Sequence, residues 1–437
     1  MNNPDVLVIG GGPAGLAAAT ELARMGLSVL LAEQRDRLGG AIHRAYVGPG
    51  ESPLTGVPRH RRNWQQLIQK MNQTGGLITT RFRSVFLGLD GEGHCLLDDR
   101  QTGRVLALRP KALLVAVGAV ERVLPRPGWE LPGVTTAGGM QVQLKETGLA
   151  PAGPILVAGT GPLPLAVAAQ LAAAGNPPVA VLERGQPFRA ALRHTVALVD
   201  GLRSWPNVVE AAGYGARLLR AGVPYRTGWA VTAIEAAPEG LLVTTQHLSG
   251  QVQQHRVRHL ALHDGLTPNA TGVPVQDLPG LVVARAGDCR EVLGADAAIS
   301  DGRRAAQQVA SRLGRPTAEG AFNAELQAAR RTQQALATLC QATVASPSAQ
   351  TVICRCEGLR RADFDGLQGA QSPREIRLVG RFSMGACQGR FCAQHVQRLA
   401  AENALTFDAA ALGGSAARWP LRPVSVTALA ACRQGDE

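Results

Sequence analysis

The chain opens on a short apolar run, Val6 to Ile9, that ends at a glycine cluster. A run that short, with no polar alternation, predicts a strand buried on both faces, as in a parallel sheet. A helical period follows from about Pro13 to Met25, and a second apolar run covers Ser28 to Ala32. The same order returns at residues 154–183, "PILVAGTGPLPLAVAAQLAAAGNPPVAVLE". Two copies of strand, glycine turn, helix and strand predict an α/β chain with two Rossmann-like, three-layer nucleotide-binding units. No residue between Thr147 and Leu182 is charged, a length sufficient to cross a bilayer. Glycine and proline divide that stretch ("AGPI", "GTGPLP", "GNPP"), so a buried βαβ unit is expected and not a membrane span.

Each turn carries chemistry. The first reads Gly10-x-Gly12-x-x-Gly15. Gly10 suits the tight turn, Gly12 lets backbone approach a pyrophosphate, and Gly15 lets helix and strand pack closely. The helix that begins at Pro13 and Ala14 turns its positive end toward the phosphates. Glu33 ends the second strand 23 residues after Gly10, placed to accept hydrogen bonds from ribose hydroxyls. The second turn keeps Gly159 and Gly161, with Glu183 following Gly159 by 24 residues. Its third glycine is replaced by Pro164. Proline is tolerated in a first helical turn, but its ring is expected to push the helix from the strand. The second site is therefore the weaker one, and NAD(P)H, another adenine nucleotide held structurally, or no ligand all stay open.

At 437 residues the chain has room for two or three domains. A hydrophobic content of 45% with 18% charged residues marks it as globular. The net charge of +12 comes from scattered arginines with only 4% aromatics, so nucleic-acid binding is not expected. Bound anionic cofactors would offset part of that charge. "MNNPDVLVIGGG" has no cationic and apolar leader pattern, so a cytoplasmic location is expected.

Four of the eight cysteines cluster near the end: Cys354 and Cys356 as C-x-C, Cys387 and Cys392 as C-x4-C. Zinc prefers wider C-x2–4-C knuckles, and disulfides do not suit a reducing compartment. A 2Fe–2S cluster needs four thiolates around two irons and is favoured over zinc. Glycines in "SMGACQGRFC" let amides approach cluster sulfurs, and Arg355 and Arg390 offset cluster charge. "SRLGRPTAEGAF" and "QATVASPSAQ" read as boundaries before this small, mainly helical module.

Other segments carry a resemblance. The pair Gly39-Gly40 in "QRDRLGGAIHR", the strand "KALLVAVGAVER" ending at Gly118, and Gly287-Asp288 in "LVVARAGDCREVLGADAAISDGRRAA" resemble the two-dinucleotide-binding flavoproteins. That resemblance implies FAD, held by Gly10, Gly12, Pro13, Ala14, Gly15, Glu33, Gly39, Gly40, Arg44, Gly118, Gly287 and Asp288. It also implies a discontinuous flavin domain (1–150 and 265–325), an inserted nucleotide-like domain (151–264) and a C-terminal module with tail (326–437). His43 sits beside Arg44, though a lone histidine is more often structural. No cysteine pair follows Gly40 or falls within 151–264, so disulfide reduction is not expected. Cys95, Cys289, Cys340 and Cys432 are isolated and read as small inert side chains.

"CRCE" with "GACQGRFC" resembles the bacterioferritin-associated-ferredoxin-like 2Fe–2S module. The whole order, with the ending "RWPLRPVSVTALA", is similar to the alpha subunits of heteromeric amino-acid dehydrogenases: opine oxidases, D-hydroxyproline dehydrogenase and hydrogen cyanide synthase. Pro164, and Val117 where that family has threonine, are the departures. The resemblance implies that a beta flavoprotein subunit oxidises the amino or imino acid. This chain then relays electrons to an acceptor such as quinone. The complex would include a small ferredoxin-like gamma subunit, and through it the chain would attach at the inner membrane. D-hydroxyproline or an opine is the favoured substrate, with glycine to cyanide third. The residues themselves present no constellation for substrate oxidation. Two alternatives remain: a stand-alone NAD(P)H-dependent flavin reductase feeding the cluster, and a scaffold whose flavin is structural.

Overall fold

The computed structural model describes all residues except Met1, Asn2, Gly50, Glu51, Pro53, Thr55, Glu319, Gln368, Ala404, 406–418 and 435–437. The chain begins with β1 (Val6–Ile9), α1 (Pro13–Arg24), β2 (Val29–Ala32), α2 (Pro58–Asn72) and β3 (Ile78–Arg81). An antiparallel set, β4 (Ser84–Leu89), β5 (Cys95–Asp99) and β6 (Arg104–Leu108), precedes β7 (Ala112–Val115) and the crossing strand β8 (Ala119–Glu121). A second unit holds β9 (Val134–Thr136), α3 (Ala137–Thr147), β10 (Ile155–Gly159), α4 (Pro162–Ala173) and β11 (Ala180–Glu183). Next come α5 (Pro187–Arg193), α6 (Thr195–Arg203), α7 (Trp205–Arg220) and β12 (Tyr225–Thr227). The antiparallel strands β13 (Trp229–Ala237), β14 (Gly240–His247) and β15 (Val252–Val257) lead into β16 (His259–His263). The return runs through β17 (Leu266–Pro268), β18 (Val282–Arg285), α8 (Ala295–Arg312) and α9 (Asn323–Leu339).

Both units share one plan, and side-chain alternation explains it. The first sheet is parallel, in the order β18-β7-β1-β2-β3. Val6, Val8, Val29 and Leu31 point into one core with α1 and α8. Leu7, Ile9, Leu30 and Ala32 point into the other, with Phe86, Cys95 and Leu97 of the β4–β6 layer. The period of two thus feeds a helical layer on one side and an antiparallel sheet on the other. The second sheet, β12-β11-β10-β16-β9, is parallel as well. Leu156, Leu182 and Leu260 face β13–β15, and Val157, Val181 and Ala261 face α3, α4 and α7. The charge-free stretch is the buried centre of this unit, and among the described residues no helix is long and apolar enough to cross a membrane.

The second sheet begins earlier than the expected boundary at 151. β9 pairs with β16, and α3, capped by Thr136 through the Gly139 amide, packs in the same core. Residues 134–150 therefore belong to the inserted unit. The strands β8 and β17 pair antiparallel where the chain leaves and re-enters the first unit, with Glu121 opposite Leu266.

The C-terminal part holds β19 (Val352–Cys354), β20 (Leu359–Arg360), α10 (Arg361–Asp365), α11 (Pro373–Leu378), α12 (Ala393–Glu402), α13 (Val426–Ala430) and β21 (Arg433–Gln434). Ile353, Phe364, Phe382 and Val396 form its small core around Cys354 and Cys392. It docks on the linker after β8: Trp129 Nε1 donates to the Val352 carbonyl at 2.8 Å, and Arg355 lies 5.9 Å above the Trp129 ring. The tail then leaves the module. The Leu421 amide bonds the Leu87 carbonyl at 2.8 Å, and β21 joins the edge of β6.

Candidate cofactor-binding site

The first glycine turn has the close contacts its spacing demands. Gly10 has φ +104°, and a Cβ there would stand 2.5 Å from the Ala116 carbonyl oxygen. Gly12 caps α1 and would place a Cβ 3.6 Å from the Gly40 Cα. Gly40 itself has φ +63°. Two glycines from distant segments thus face each other across a gap that side chains would fill. Glu33 is buried at the end of β2, accepting from the Gly11 amide at 2.7 Å and the Arg35 amide at 3.0 Å. On the return segment, Gly287 lies against Ala14 and its amide bonds Asp301 at 2.7 Å. Asp288 accepts from the amides of Leu293 and Gly294 at the start of α8. Burial still raises its pKa above the usual carboxylate range.

These groups open on one cavity of about 1520 Å³, larger than the ~300–1,000 Å³ of ordinary small-molecule pockets. Gly10, Gly12, Pro13, Ala14, Glu33, Gly40, Arg44, Gly118 and Asp288 line it. Gly15, Gly39 and Gly287 stand behind the wall and shape it through backbone packing: Gly39, for one, has φ +136° against the His43 carbonyl. Arg44 is half-buried on the cavity wall, its Nε 3.5 Å from the Glu146 carboxylate. A guanidinium on that wall suits an anionic ligand such as a pyrophosphate. His43 stacks on Trp64 at 4.7 Å, and burial drops its pKa to about 4, so the ring is neutral.

The second turn also reaches the large cavity, through Thr160, Gly161, Pro162 and Leu163. Gly161 and Glu183 repeat the first site's bonding, with the Gly161 and Gly185 amides on the Glu183 carboxylate at 2.9 and 2.8 Å. Burial raises the Glu183 pKa. Gly159 packs on the His263 carbonyl. Pro164 sits in the first turn of α4, which at 12 residues is as long as α1, so the helix survives as expected. Cys340, just past α9, crowds one side of the second turn. Its carbonyl accepts from Thr160 Oγ1 at 2.9 Å and lies 2.8 Å from where a Gly185 Cβ would stand. The chain's own backbone therefore takes part of the space between Thr160 and the residues just after β11, near where a nucleotide's ribose would lie.

The four clustered cysteines converge as two pairs. The Cys354 thiol bonds that of Cys392, and Cys356 bonds Cys387. Contact with Cys392 pulls the Cys354 pKa down to about 6 and pushes its partner's up. Amides of Glu357, Ser383 and Cys356 also point at Cys354. Among the described residues no group of three or more His, Cys, Asp or Glu side chains has the geometry to hold a single metal ion. Arg390 links this loop to the cavity: it bonds the Cys387 carbonyl at 3.1 Å and lines the cavity wall.

Several wall residues had no signal in the linear pattern. Asp264 is buried and gathers Arg126 at 2.6 Å, Arg184 at 3.0 Å and, through its carbonyl, Arg122 at 2.8 Å. Burial alone would raise its pKa, but Arg126, the Leu124 amide and Arg184 hold it below the usual range. Lys145 on α3 donates to the Ala41 and Ile42 carbonyls beside Gly40. Burial and then Arg44 lower its pKa to about 8.

Residues 4–287 match the family model of pyridine nucleotide-disulphide oxidoreductases. The chain is 31% identical to an opine oxidase subunit of Rhizobium meliloti, across 97% of each chain. It is 33% identical to hydrogen cyanide synthase subunit HcnB of Pseudomonas aeruginosa, over 88% of this chain and 90% of that one. L-proline dehydrogenase from P. horikoshii has a similar fold, with a TM-score of 0.65 at 17% identity, over 98% of this chain and 79% of that chain. This chain belongs to the pyridine nucleotide-disulphide oxidoreductase family, grouped with these subunits, and is an FAD-dependent oxidoreductase.

Proposed function

We propose that this chain is the electron-transferring subunit of a heteromeric dehydrogenase whose partner flavoprotein oxidises an amino or imino acid. The relatives named as subunits of opine oxidase and hydrogen cyanide synthase support an amino-acid-derived donor and a partner chain. D-hydroxyproline or an opine is the favoured donor, with glycine third.

FAD in the open cavity would accept electrons as a pair or singly. Gly10, Gly12 and Gly40 would leave room for its pyrophosphate, Glu33 would take the ribose, Arg44 would face phosphate, and Asp288 with the α8 amides would bound the far end. Gly15, Gly39, Gly118 and Gly287 would hold the surrounding backbone. Cys354, Cys356, Cys387 and Cys392 would carry a 2Fe–2S cluster, which exchanges single electrons. The two thiol pairs suit a group with two irons better than a single tetrahedral ion. Arg390 gives the cysteine loop its contact with the cavity.

The observation that carries this reading over a stand-alone reductase is Cys340. Its carbonyl, on Thr160 and against Gly185, narrows the second turn, which favours electrons arriving from a partner over NAD(P)H. Anaerobic addition of NADH, then NADPH, to the flavin-loaded chain tests this. The flavin absorbance is expected to stay unchanged; rapid bleaching would overturn the proposal in favour of the reductase.

A further inference from the structure

The helical segment between β11 and β12 does not bury itself. α5 and α6 contain no buried residue, and α7 contains one, Leu218. A surface helix ordinarily turns an apolar stripe to the core. Here the stripe faces outward. Phe188, Leu192, Val196 and Val199 follow one another at spacings of four, four and three, and are 47–83% exposed. Trp205 and Val209, four apart on α7, continue the face at 68% and 60% exposure. Scattered exposed apolar side chains are ordinary; six on three successive helices, with a tryptophan and a phenylalanine among them, are the kind of surface that interfaces use.

The segment is also basic. Residues 187–220 contain five arginines and two acids. Both acids are engaged: Asp200 with Arg203, and Glu210 turned inward to Arg59 and His60. The segment therefore joins exposed apolar side chains to an excess of positive charge, five arginines against two acids. A second copy of this chain would bring arginine against arginine, in a protein that already carries +12. A different protein with an apolar face ringed by carboxylates fits the charge. The position fits as well. Glu210 and Tyr214, on the inner face of α7, line the large cavity, so a partner on the outer face would stand about one helix diameter, ~10 Å, from it.

We propose that the outer face of α5–α7 is the docking surface for the amino-acid-oxidising partner protein. This rests on the functional reading above and adds to it where the partner binds and what chemistry its surface has.

The test uses the tagged full-length chain purified from cells that make the native enzyme. Leu192→Glu with Val196→Glu, and Trp205→Asp separately, put charge at the centre of the face. Leu248→Glu, on the exposed β14–β15 turn, is the control. Flavin per chain should be unchanged in all of them. In both face variants the co-purifying second polypeptide and the donor-dependent dye reduction should fall together by about tenfold or more, a loss of ~1.4 kcal/mol or more in association; the control should keep both. Retention of the partner by both face variants would overturn the proposal. So would an isolated chain that sediments as a dimer which the substitutions split. So would binding to phosphatidylglycerol vesicles that the substitutions remove while the partner stays. If the wild-type chain brings down no second polypeptide and shows no donor-dependent activity, the functional reading itself fails, and the docking face with it.

Discussion

A Cβ on Gly15 would stand 1.8 Å from the carbonyl oxygen of Gly10. The first helix can lie on the first strand only because that atom is missing. Gly15→Ala must separate the two elements, and overpacking of this kind costs about 1–3 kcal/mol. The expected result is a lower unfolding temperature together with loss of bound flavin. Gly26→Ala, at φ +77° with open space around it, should cost ~1–2 kcal/mol of backbone strain and keep the flavin.

Asp264 is one buried carboxylate serving three guanidinium groups. Asp264→Ala should destabilise by about 3–5 kcal/mol, because Arg126 and Arg184 are left charged and buried. Denaturant titration would measure this. Adding Arg184→Met should recover part of the loss; a further drop would mean that the arginine is stable without its partner.

His60 ties α2 to α7 and α8 through Glu210 and Asp296. Burial would lower its pKa, but hydrogen bonds to Asp296 and Glu210 outweigh that and raise it to about 9. The sign follows from linkage. The folded state holds the proton more tightly than the unfolded one, whose pKa is 6.5. The stabilisation is complete below about pH 6.5 and disappears as pH rises through 9. Unfolding temperatures at pH 6.5 and 9 should therefore differ more for the wild type than for His60→Gln. Equal differences would refute the assignment.

Iron and sulfide analysis addresses the cysteines. The wild-type chain is expected to contain about two of each per chain. Cys354→Ser or Cys392→Ser should remove both while flavin absorbance persists. Zinc in place of iron, or full iron in both variants, would rule out the cluster at these residues.

Much of the fold could be read from short-range pattern. Gly10, Gly12, Gly15 and Glu33 signal their unit because turn, helix and ribose acid lie within one βαβ element. The repeat at Gly159–Glu183 was legible for the same reason. What stayed hidden depends on long-range pairing. β9 is three residues long and gains meaning only beside β16. Cys340 reads as an isolated thiol until α9 brings its carbonyl to Thr160. Arg122, Arg126 and Arg184 look like scattered charge until Asp264 gathers them. For α5–α7 the sequence carries the apolar stripe but not what covers it.

The two strands by which the chain leaves and re-enters the flavin-side unit lie side by side, Glu121 opposite Leu266. Partners in an antiparallel pair have Cα atoms about 5 Å apart. The whole intervening nucleotide-like unit is therefore a cassette entered and left at one place. A two-residue turn could splice its entry to its exit without moving either end, so excision would leave the flavin-side sheet's connectivity whole. What fixes the cassette against the flavin-side unit is therefore not the strap alone but side-chain ties such as His60 with Glu210 and Lys145 with the Ala41 carbonyl.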